Sequence, residues 1–256
     1  PMVNRLPGAI GVDSGAPLEF SFNGRMYTGL QGDTLASALL ANNQRVIGRS
    51  FKYHRPRGIL SIGSEEPAAL VTLGADVHAE PHTKATAVML SQGMAAFSQN
   101  CWPSPRFDVM SVNGLFAPFF VAGFYYKTFM RPASAWEPLY ERVIRRAAGL
   151  GKAPDGPDPD QYAQIDASCD VLVIGGGAAG LEAARSAAAT GADVIIVEER
   201  AWFGGQLGLA PESVNEQPGH EWVAETVQEL AARPNVRLLK ETAAYGLYDD
   251  KVVGLI

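Results

Sequence analysis

The feature that most constrains the fold is a short glycine-rich loop set between two apolar runs. The chain reads CDVLVIG, then GGAAG, then an Ala-rich segment closed by Gly191, then ADVIIVEE. Unbroken apolar runs of this length are typical of strands in a parallel sheet covered on both faces, and the Ala-rich segment between them favours a helix. The pattern therefore predicts a β-α-β unit, which places this part of the chain in the α/β class.

The spacing of the loop glycines adds a chemical prediction. Gly175, Gly177 and Gly180 stand in a G-x-G-x-x-G pattern. In this pattern the first glycine permits a tight turn, the second lets a pyrophosphate approach the backbone, and the third brings the helix close to the sheet. The free N–H groups at the helix start then hold the phosphates, and Glu198 can accept both hydroxyls of a ribose. Together they predict a Rossmann-type dinucleotide-binding domain over residues 168–256.

The residues leave the identity of the dinucleotide open. Glu198 would repel a 2′-phosphate, although the neighbouring Arg200 keeps a phosphorylated ribose possible. The pair Gly204-Gly205, in the stretch ERAWFGGQL, suits a second close backbone approach to the cofactor. This arrangement is seen in flavoproteins with two dinucleotide domains, so the motif alone is at least as consistent with FAD as with NAD. The alternative is a purely structural glycine turn.

The first hundred residues predict a second, smaller domain. The stretch LEFSFNGRMYTGL alternates apolar and polar residues around Asn23-Gly24, which predicts a β-hairpin. Asp33 or Thr34 can cap a following helix. Three further runs predict strands: RVIGRSF, AALVTLG and TKATAVML. We expect a ferredoxin-like β-grasp domain over residues 15–98, after a tail of residues 1–14.

The remaining segments predict connections and an unfinished sheet. Residues 99–150 are aromatic and interrupted by prolines, and they end in a short amphipathic helix within EPLYERVIRRAAGLG. Residues 151–167 are rich in Pro, Asp and Gly and predict a linker. The stretch ETAAYGLYDDKVVGLI predicts the first strands of a further sheet. Since a strand pair without covering elements is marginal in water, we expect an incomplete domain from a longer chain.

Composition excludes several classes of function. The formal net charge is −6 and the pI is about 5.3, so general nucleic-acid binding is not expected. The two cysteines are far apart, which predicts a reducing, cytoplasmic location and no zinc or cluster site. The apolar run 114–130 is interrupted by Pro118, Gly123 and Lys127, so we interpret it as buried or interface-forming rather than membrane-spanning. No signal peptide is recognised.

One stretch, GRSFKYHRPRGIL, is strongly basic although the whole chain is acidic. Because crowded like charges repel, an anionic group, an acidic partner or bulk solvent must offset them. No acidic partner for His54 is visible nearby, so we predict no catalytic residue here. His78 and His82 flank Glu80, but a surface turn is favoured there over a metal site. The candidates for phosphate or partner contact are Arg49, Lys52, His54, Arg55 and Arg57.

Four long stretches resemble the α subunit of heterotetrameric sarcosine oxidase, and this resemblance covers nearly the whole chain. They are GRSFKYHRPRGILSIGSEEPAALVTLG, FDVMSVNGLFAPFFVAGFYYKTFMRPASAWE, IRRAAGLGKAPDGPDPDQY and CDVLVIGGGAAGLEAARSAAATGADVIIVEER. The resemblance implies an oxidoreductase that demethylates sarcosine to glycine, passes the one-carbon unit to tetrahydrofolate and forms hydrogen peroxide. Family α subunits are longer, so this would be the N-terminal part, inactive alone.

The resemblance also implies cofactors and partners. It implies NAD in this chain, FAD in the β subunit, FMN at the interface with β, further γ and δ subunits, and tetrahydrofolate on an absent C-terminal part. Relatives of the N-terminal domain hold a [2Fe–2S] cluster, which needs four thiolates. Cys101 is the only cysteine before the linker, so we expect a docking domain without a cluster. An FAD-binding subunit of an amine or opine dehydrogenase, or a non-catalytic scaffold, remains the alternative.

The resemblance carries the cofactor contacts onto particular positions. The pyrophosphate would lie on the glycine loop, the adenosine ribose beside the end of the second strand, and the adenine against the backbone of Ala244. The implied contact residues are Gly175, Gly177, Ala179, Gly180, Glu198, Glu199, Arg200, Gly205, Gln206 and Ala244. No membrane or nucleic-acid partner is implied.

Overall fold

The computed structural model describes residues 4–6, 9–119, 129, 131–147, 151, 153–154, 156–157, 160–209 and 211–256. By its internal contacts the chain divides into two compact units, Pro1–Gln161 and Tyr162–Ile256. We call them the N-terminal unit and the C-terminal unit, and each is described by itself. The division falls inside the segment 151–167 that the sequence predicts to be a linker.

The N-terminal unit contains seven strands and one helix before residue 99. They are β1 (Asp13–Phe22), β2 (Arg25–Gln31), α1 (Leu35–Ala41), β3 (Gly48–Arg49), β4 (Pro56–Arg57), β5 (Leu70–Leu73), β6 (Glu80–Lys84) and β7 (Ala95–Ser98). Five strands form one sheet in the order β2-β1-β7-β5-β6. β1 and β7 are parallel and the other neighbours are antiparallel. This mixed sheet with its helix is the β-grasp arrangement that the sequence predicts.

The local sequence accounts for the first hairpin and for the helix. Asn23 and Gly24 have φ angles of 52° and 75°, the left-handed values that a two-residue turn requires. Thr34 caps α1, because its side-chain oxygen accepts a hydrogen bond of 3.1 Å from the Ser37 N–H. The apolar face of α1 packs onto the sheet, and Leu35 is among the core residues that are fully buried.

Two predicted strands differ from the structure, and two short strands, β4 and β7, were not predicted. Within RVIGRSF only Gly48–Arg49 forms a strand, because the chain turns back to pair with β4. Within TKATAVML the strand ends at Lys84, and the Ala87 N–H closes a turn on the Lys84 carbonyl. The short strand β7 completes the sheet, although its sequence AAFS has little β-propensity.

The segment after β7 is described only in part. Its described residues form short helical turns, then a π-helical turn (Trp136–Tyr140) that leads into α2 (Glu141–Ala147). The helix predicted in EPLYERVIRRAAGLG is therefore present. Its predicted end at Gly149 lies outside the described residues, as does most of the apolar run 114–130.

The C-terminal unit contains the predicted β-α-β unit. Its elements are β8 (Val171–Ile174), α3 (Ala178–Ala189), β9 (Val194–Val197), β10 (Ser213–Val214), β11 (Gln217–Pro218), α4 (Gly219–Ala231), β12 (Val236–Leu239), β13 (Ala244–Leu247) and β14 (Val253–Leu255). β8, β9 and β12 form a parallel sheet in the order β12-β9-β8. α3 ends next to Gly191, whose φ of 87° stops the helix as predicted.

Burial in this sheet differs from the prediction for one strand. All four residues of β9 are buried, as the central position of that strand requires. β8 was also predicted to be fully buried, but it lies at the edge of the described sheet and Ile174 is 60% exposed. The last two strands, β13 and β14, pair as an antiparallel hairpin in the stretch predicted to contain strands.

Candidate functional site

The glycine loop joins β8 to α3 and leaves an open space at the start of the helix. Gly175 has a φ of 97°, which only glycine adopts readily, and this angle makes the turn out of the strand. A Cβ on Gly180 would lie 1.9 Å from the Gly175 carbonyl oxygen, so the helix could not pack this closely with any other residue there. A Cβ on Gly177 would meet no atom within 4 Å. This open space is where the predicted pyrophosphate would lie.

The first turn of α3 has donors that face this space. Gly177 is the N-cap of α3. Because glycine has no side chain, no capping side chain pairs with the first N–H groups of the helix. Ala179, a predicted contact residue, is exposed in that first turn. The N-terminal end of a twelve-residue helix also carries a partial positive charge, which favours a phosphate group.

The second glycine pair packs directly on the first loop. The Gly204 N–H donates to the Gly176 carbonyl at 2.7 Å, and the backbone of Gly204 is bridged with that of Gly177. A Cβ on Gly205 would lie 3.5 Å from the Gly177 Cα, so this pair lines the same open space. The following side chain, Gln206, is exposed. The structure thus brings together two motifs that the sequence could only place separately.

Glu198 holds the loop from the end of β9. It is 6% exposed, and its carboxylate oxygens accept hydrogen bonds from the Gly176 N–H at 2.7 Å and the Arg200 N–H at 2.9 Å. A carboxylate has about four lone-pair sites, so two backbone bonds leave room for ribose hydroxyls. Glu199 beside it is exposed and Arg200 is half-buried.

The backbone just before β13, the strand that begins at Ala244, is hydrogen-bonded to the residues that follow β9. The Thr242 N–H donates to the Glu198 carbonyl at 2.9 Å, and the Glu241 N–H donates to the Arg200 carbonyl at 3.1 Å. Ala244 follows as the first residue of β13 and pairs with Leu255. The backbone before β13 therefore lies at the side of the site where the adenosine was predicted.

Sequence reasoning missed three residues of this site. A Cβ on Gly176 would lie 2.2 Å from the Phe203 ring, so the middle position of the triple glycine leaves no room for a larger residue. Phe203 is 7% exposed and covers the loop. The Trp202 indole Nε1 is buried and has no hydrogen-bond partner among the described residues. The run GGG in the sequence was the one signal that could have indicated the restriction at Gly176.

These observations together test whether the site suits an adenine dinucleotide. The space above Gly177, the donors of α3 and the carboxylate of Glu198 match a pyrophosphate and a ribose. The residues present therefore fit the ADP portion of such a cofactor.

The basic loop of the N-terminal unit is partly occupied by internal contacts. The Arg49 guanidinium donates to the carbonyls of Pro105 at 2.7 Å, His54 at 3.0 Å and Arg106 at 3.1 Å. His54 is buried, and its Nδ1 lies 2.7 Å from Asp108 Oδ2. The prediction that His54 has no acidic partner was wrong, because the partner, Asp108, lies 54 residues away in the chain.

The other three basic residues, Lys52, Arg55 and Arg57, are partly or fully exposed. The Lys52 Nζ lies 5.2 Å and the Arg55 Cζ 4.8 Å from the centre of the Tyr53 ring, within the range of cation–π attraction. Arg55 and Arg57 are exposed. Of the five residues predicted to contact a phosphate or partner, Arg49 and His54 hold the loop together, while Lys52, Arg55 and Arg57 can reach another molecule.

Glu66, which the sequence did not indicate, organises the loop that follows. Its fully buried carboxylate accepts four backbone hydrogen bonds, from Leu60, Ser61, Ala68 and Ala69, at 2.7–3.0 Å. Burial alone would raise the pKa of this carboxyl group. The four N–H donors outweigh burial and lower the pKa below its ordinary value, so the group is held as a carboxylate.

The thiol of Cys101 is a poor candidate for chemistry. Burial raises its pKa, and the sulfur lies 3.2 Å from the Ser98 hydroxyl oxygen. A thiol with a raised pKa is neutral at pH 7 and is a weak nucleophile. Among the described residues, no group of three or more His, Cys, Asp or Glu side chains is arranged to hold a metal ion. No helix in the described part of the chain is long and apolar enough to cross a membrane.

Two sequence families match this chain. Residues 15–101 match the 2Fe-2S iron-sulfur cluster binding domain, and residues 170–253 match the FAD dependent oxidoreductase family. A crystal structure of L-proline dehydrogenase from P. horikoshii has the same fold with a TM-score of 0.59, at 19% identity over 98% of this chain and 39% of that one. The ferredoxin-type and oxidoreductase domains are thus established.

The match to the FAD family overturns one prediction. The resemblance implied NAD in this chain, with FAD as the alternative, and the NAD assignment is wrong because the matched family depends on FAD. The physical reason is that NAD and FAD share the ADP portion. A G-x-G-x-x-G loop followed by an acidic residue is a motif for that shared portion, so the motif could not separate the two cofactors.

Curated relatives confirm the resemblance noted from the sequence. Sarcosine oxidase subunit alpha of Rhizobium meliloti (strain 1021) is 53% identical over 252 residues, which are 98% of this chain and 26% of that protein. The subunit alpha of Corynebacterium sp. (strain P-1) is 34% identical over 97% of this chain and 22% of its own length. This chain thus spans about a quarter of the relatives' length, and it is a homologue of the α subunits of sarcosine oxidase.

Proposed function

We propose that this chain is the flavin-binding region of a sarcosine oxidase α-type subunit, and that its glycine loop holds the ADP portion of FAD. One observation carries the proposal: the open space at Gly177 lies next to the buried carboxylate of Glu198 in a domain of the FAD family. In this proposal the domain is of the Rossmann type. FAD would supply an acceptor for two electrons taken from the amine substrate.

The residues of this chain would bind and orient the cofactor rather than react. The first-turn N–H groups of α3 would donate to the pyrophosphate, and the dipole of the helix would favour its negative charge. Glu198, already fixed by two backbone hydrogen bonds, would accept the ribose hydroxyls without needing to reorganise. The Gly204-Gly205 pair would exclude water from one side of the pyrophosphate.

The reaction and the partners belong to the same proposal. We infer an oxidative demethylation of sarcosine to glycine, with tetrahydrofolate as the one-carbon acceptor and hydrogen peroxide as a product, in a cytoplasmic complex with β, γ and δ subunits. This rests on the homology over 98% of the chain. The chain holds only two cysteines, and only Cys101 lies within residues 15–101, so the N-terminal unit would dock partners and hold no cluster.

The test is the flavin content of the full subunit and of two matched variants. Gly177→Val places a side chain in the open space, where it would clash with a pyrophosphate, although its Cβ meets no protein atom within 4 Å. Gly114→Val is the control, because a Cβ there also meets nothing within 4 Å and its φ is not left-handed. Flavin released by acid is identified by chromatography, and folding is followed by circular dichroism.

The expected result is FAD at one equivalent in the parent and in Gly114→Val, and its loss from a folded Gly177→Val. Release of a different nucleotide from the parent would contradict the cofactor proposal. Equal FAD in all three proteins would show that the cofactor binds away from the glycine loop.

A further inference from the structure

A cleft in the N-terminal unit is not used by the proposed flavin site. It has a volume of about 350 Å³, at the lower end of the range for small-molecule sites, and it lies beside the β3–β4 pair. Its polar lining includes Arg49, Arg57, His82 and Gln99, and no acidic residue lines it among the residues that the structure describes. A cleft with only basic charges stands out in a chain whose formal net charge is −6.

Only one end of the Gln99 side-chain amide has a hydrogen-bond partner among the described residues. Gln99 is 8% exposed, its Nε2 donates to the Thr72 hydroxyl at 2.9 Å, and its buried Oε1 has no partner among the described residues. A hydroxyl can donate or accept, so the amide can turn end for end and keep its bond to Thr72. The free end can therefore meet either a donor or an acceptor on a ligand, and leaving it unpaired is unfavourable.

The two guanidinium groups differ in how firmly they are held. Arg49 is fixed by the carbonyls of Pro105, His54 and Arg106, which are neutral acceptors and leave its positive charge uncompensated by those contacts. Arg57 is exposed, although its backbone is paired with Gly48. The cleft thus has one fixed guanidinium, that of Arg49, and one that can adjust, that of Arg57. Such a pair suits a group with two or three anionic oxygens.

We propose that this cleft binds a small organic anion, a carboxylate or a phosphate monoester. The anionic group lies between Arg49 and Arg57, and a polar group of the ligand pairs with the free end of the Gln99 amide. The carbon part rests on Phe51 and Leu70, which also line the cleft. The cleft lies wholly within the N-terminal unit, so the proposal does not depend on FAD binding in the C-terminal unit.

Isothermal titration of the full subunit with succinate and, separately, with inorganic phosphate tests the proposal. Arg57→Gln removes one charge-assisted hydrogen bond and should weaken binding about tenfold or more. Arg25→Gln, at an exposed position of β2 over the Tyr27 ring, removes the same charge and should leave binding unchanged. Gln99→Leu should also weaken binding. The FAD content of every variant should equal that of the parent.

Each outcome decides the proposal. Saturation with succinate alone identifies a carboxylate ligand, and saturation with phosphate alone identifies a phosphate monoester. The proposal is overturned if neither probe saturates, or if Arg25→Gln weakens binding as much as Arg57→Gln does. Failure of the flavin proposal would appear instead as missing FAD in the parent, with anion binding intact.

Discussion

The Oε2 atom of Glu198 accepts a hydrogen bond of 2.7 Å from the backbone N–H of Gly176, which ties the end of β9 to the loop that follows β8. The same carboxylate also accepts from the Arg200 N–H at 2.9 Å. An acid at this position is expected to bind a ribose, but here it also fixes the shape of the glycine loop. Its loss should therefore affect folding as well as cofactor binding.

We expect Glu198→Gln to weaken both properties. The amide keeps one acceptor oxygen, but its NH₂ group faces a backbone N–H, so one buried donor is left unpaired. This should lower the free energy of unfolding by about 1–3 kcal/mol and release FAD. Urea unfolding and flavin content measure the two effects. Glu225→Gln, on the exposed face of α4, is the control and should change neither. Full FAD retention in Glu198→Gln would refute the assigned role.

Glu66 predicts an acid-sensitive N-terminal unit. Because its pKa is lowered in the folded state, its contribution to stability is complete above the ordinary value of 4.5. That contribution is lost as the pH falls through the lower folded-state pKa, since the unfolded chain then binds the proton more readily. At neutral pH, Glu66→Gln should lower the free energy of unfolding by about 2–4 kcal/mol, because all four N–H groups lose the charge of their acceptor and two of them face the NH₂ group and lose the acceptor itself.

Urea unfolding of the parent and of Glu66→Gln, repeated from pH 7 to pH 3, measures this difference. The gap between the two proteins should shrink toward acid pH as the parent carboxylate is protonated. Glu65→Gln is the matched control, because Glu65 is the exposed neighbour on the same turn. A gap that stays constant over the whole pH range would show that the charge of Glu66 is not what stabilises the loop.

The sequence predicted the turns, loops and strands that depend on residues close together along the chain. Asn23-Gly24 specified the first hairpin because both residues tolerate a positive φ, and the spacing of Gly175, Gly177 and Gly180 specified the loop and helix start. The core strand β9 was also predicted, because an unbroken apolar run requires burial on both faces.

The sequence could not predict contacts between distant residues. Asp108 is 54 residues from His54, and no local pattern indicates that the two are paired. The four hydrogen bonds of Glu66 depend on a loop shape that no turn signal encodes. Cofactor identity was missed for a different reason, because the glycine-loop motif is shared by proteins that bind NAD and proteins that bind FAD.

The basic loop gives a prediction about assembly that rests on the proposed complex. Lys52 and Arg55 flank the Tyr53 ring and can reach a partner, whereas Arg49 and His54 are held by internal contacts. Lys52→Ala combined with Arg55→Ala should therefore leave the subunit folded and loaded with FAD, since neither side chain is in the core. Co-purification with a tagged β subunit should fall about tenfold or more, because a charge-assisted hydrogen bond contributes about 1.5–3 kcal/mol.

The matched control removes two positive charges elsewhere. Arg25→Ala combined with Arg142→Ala changes the net charge equally, and both side chains are exposed. If the loop contacts β directly, only the first pair should reduce co-purification, and raising the salt concentration should weaken the parent complex in the same way. If both pairs reduce it equally, the effect is one of overall charge. If neither does, solvent alone offsets the charges of this loop, as it does for most surface charges.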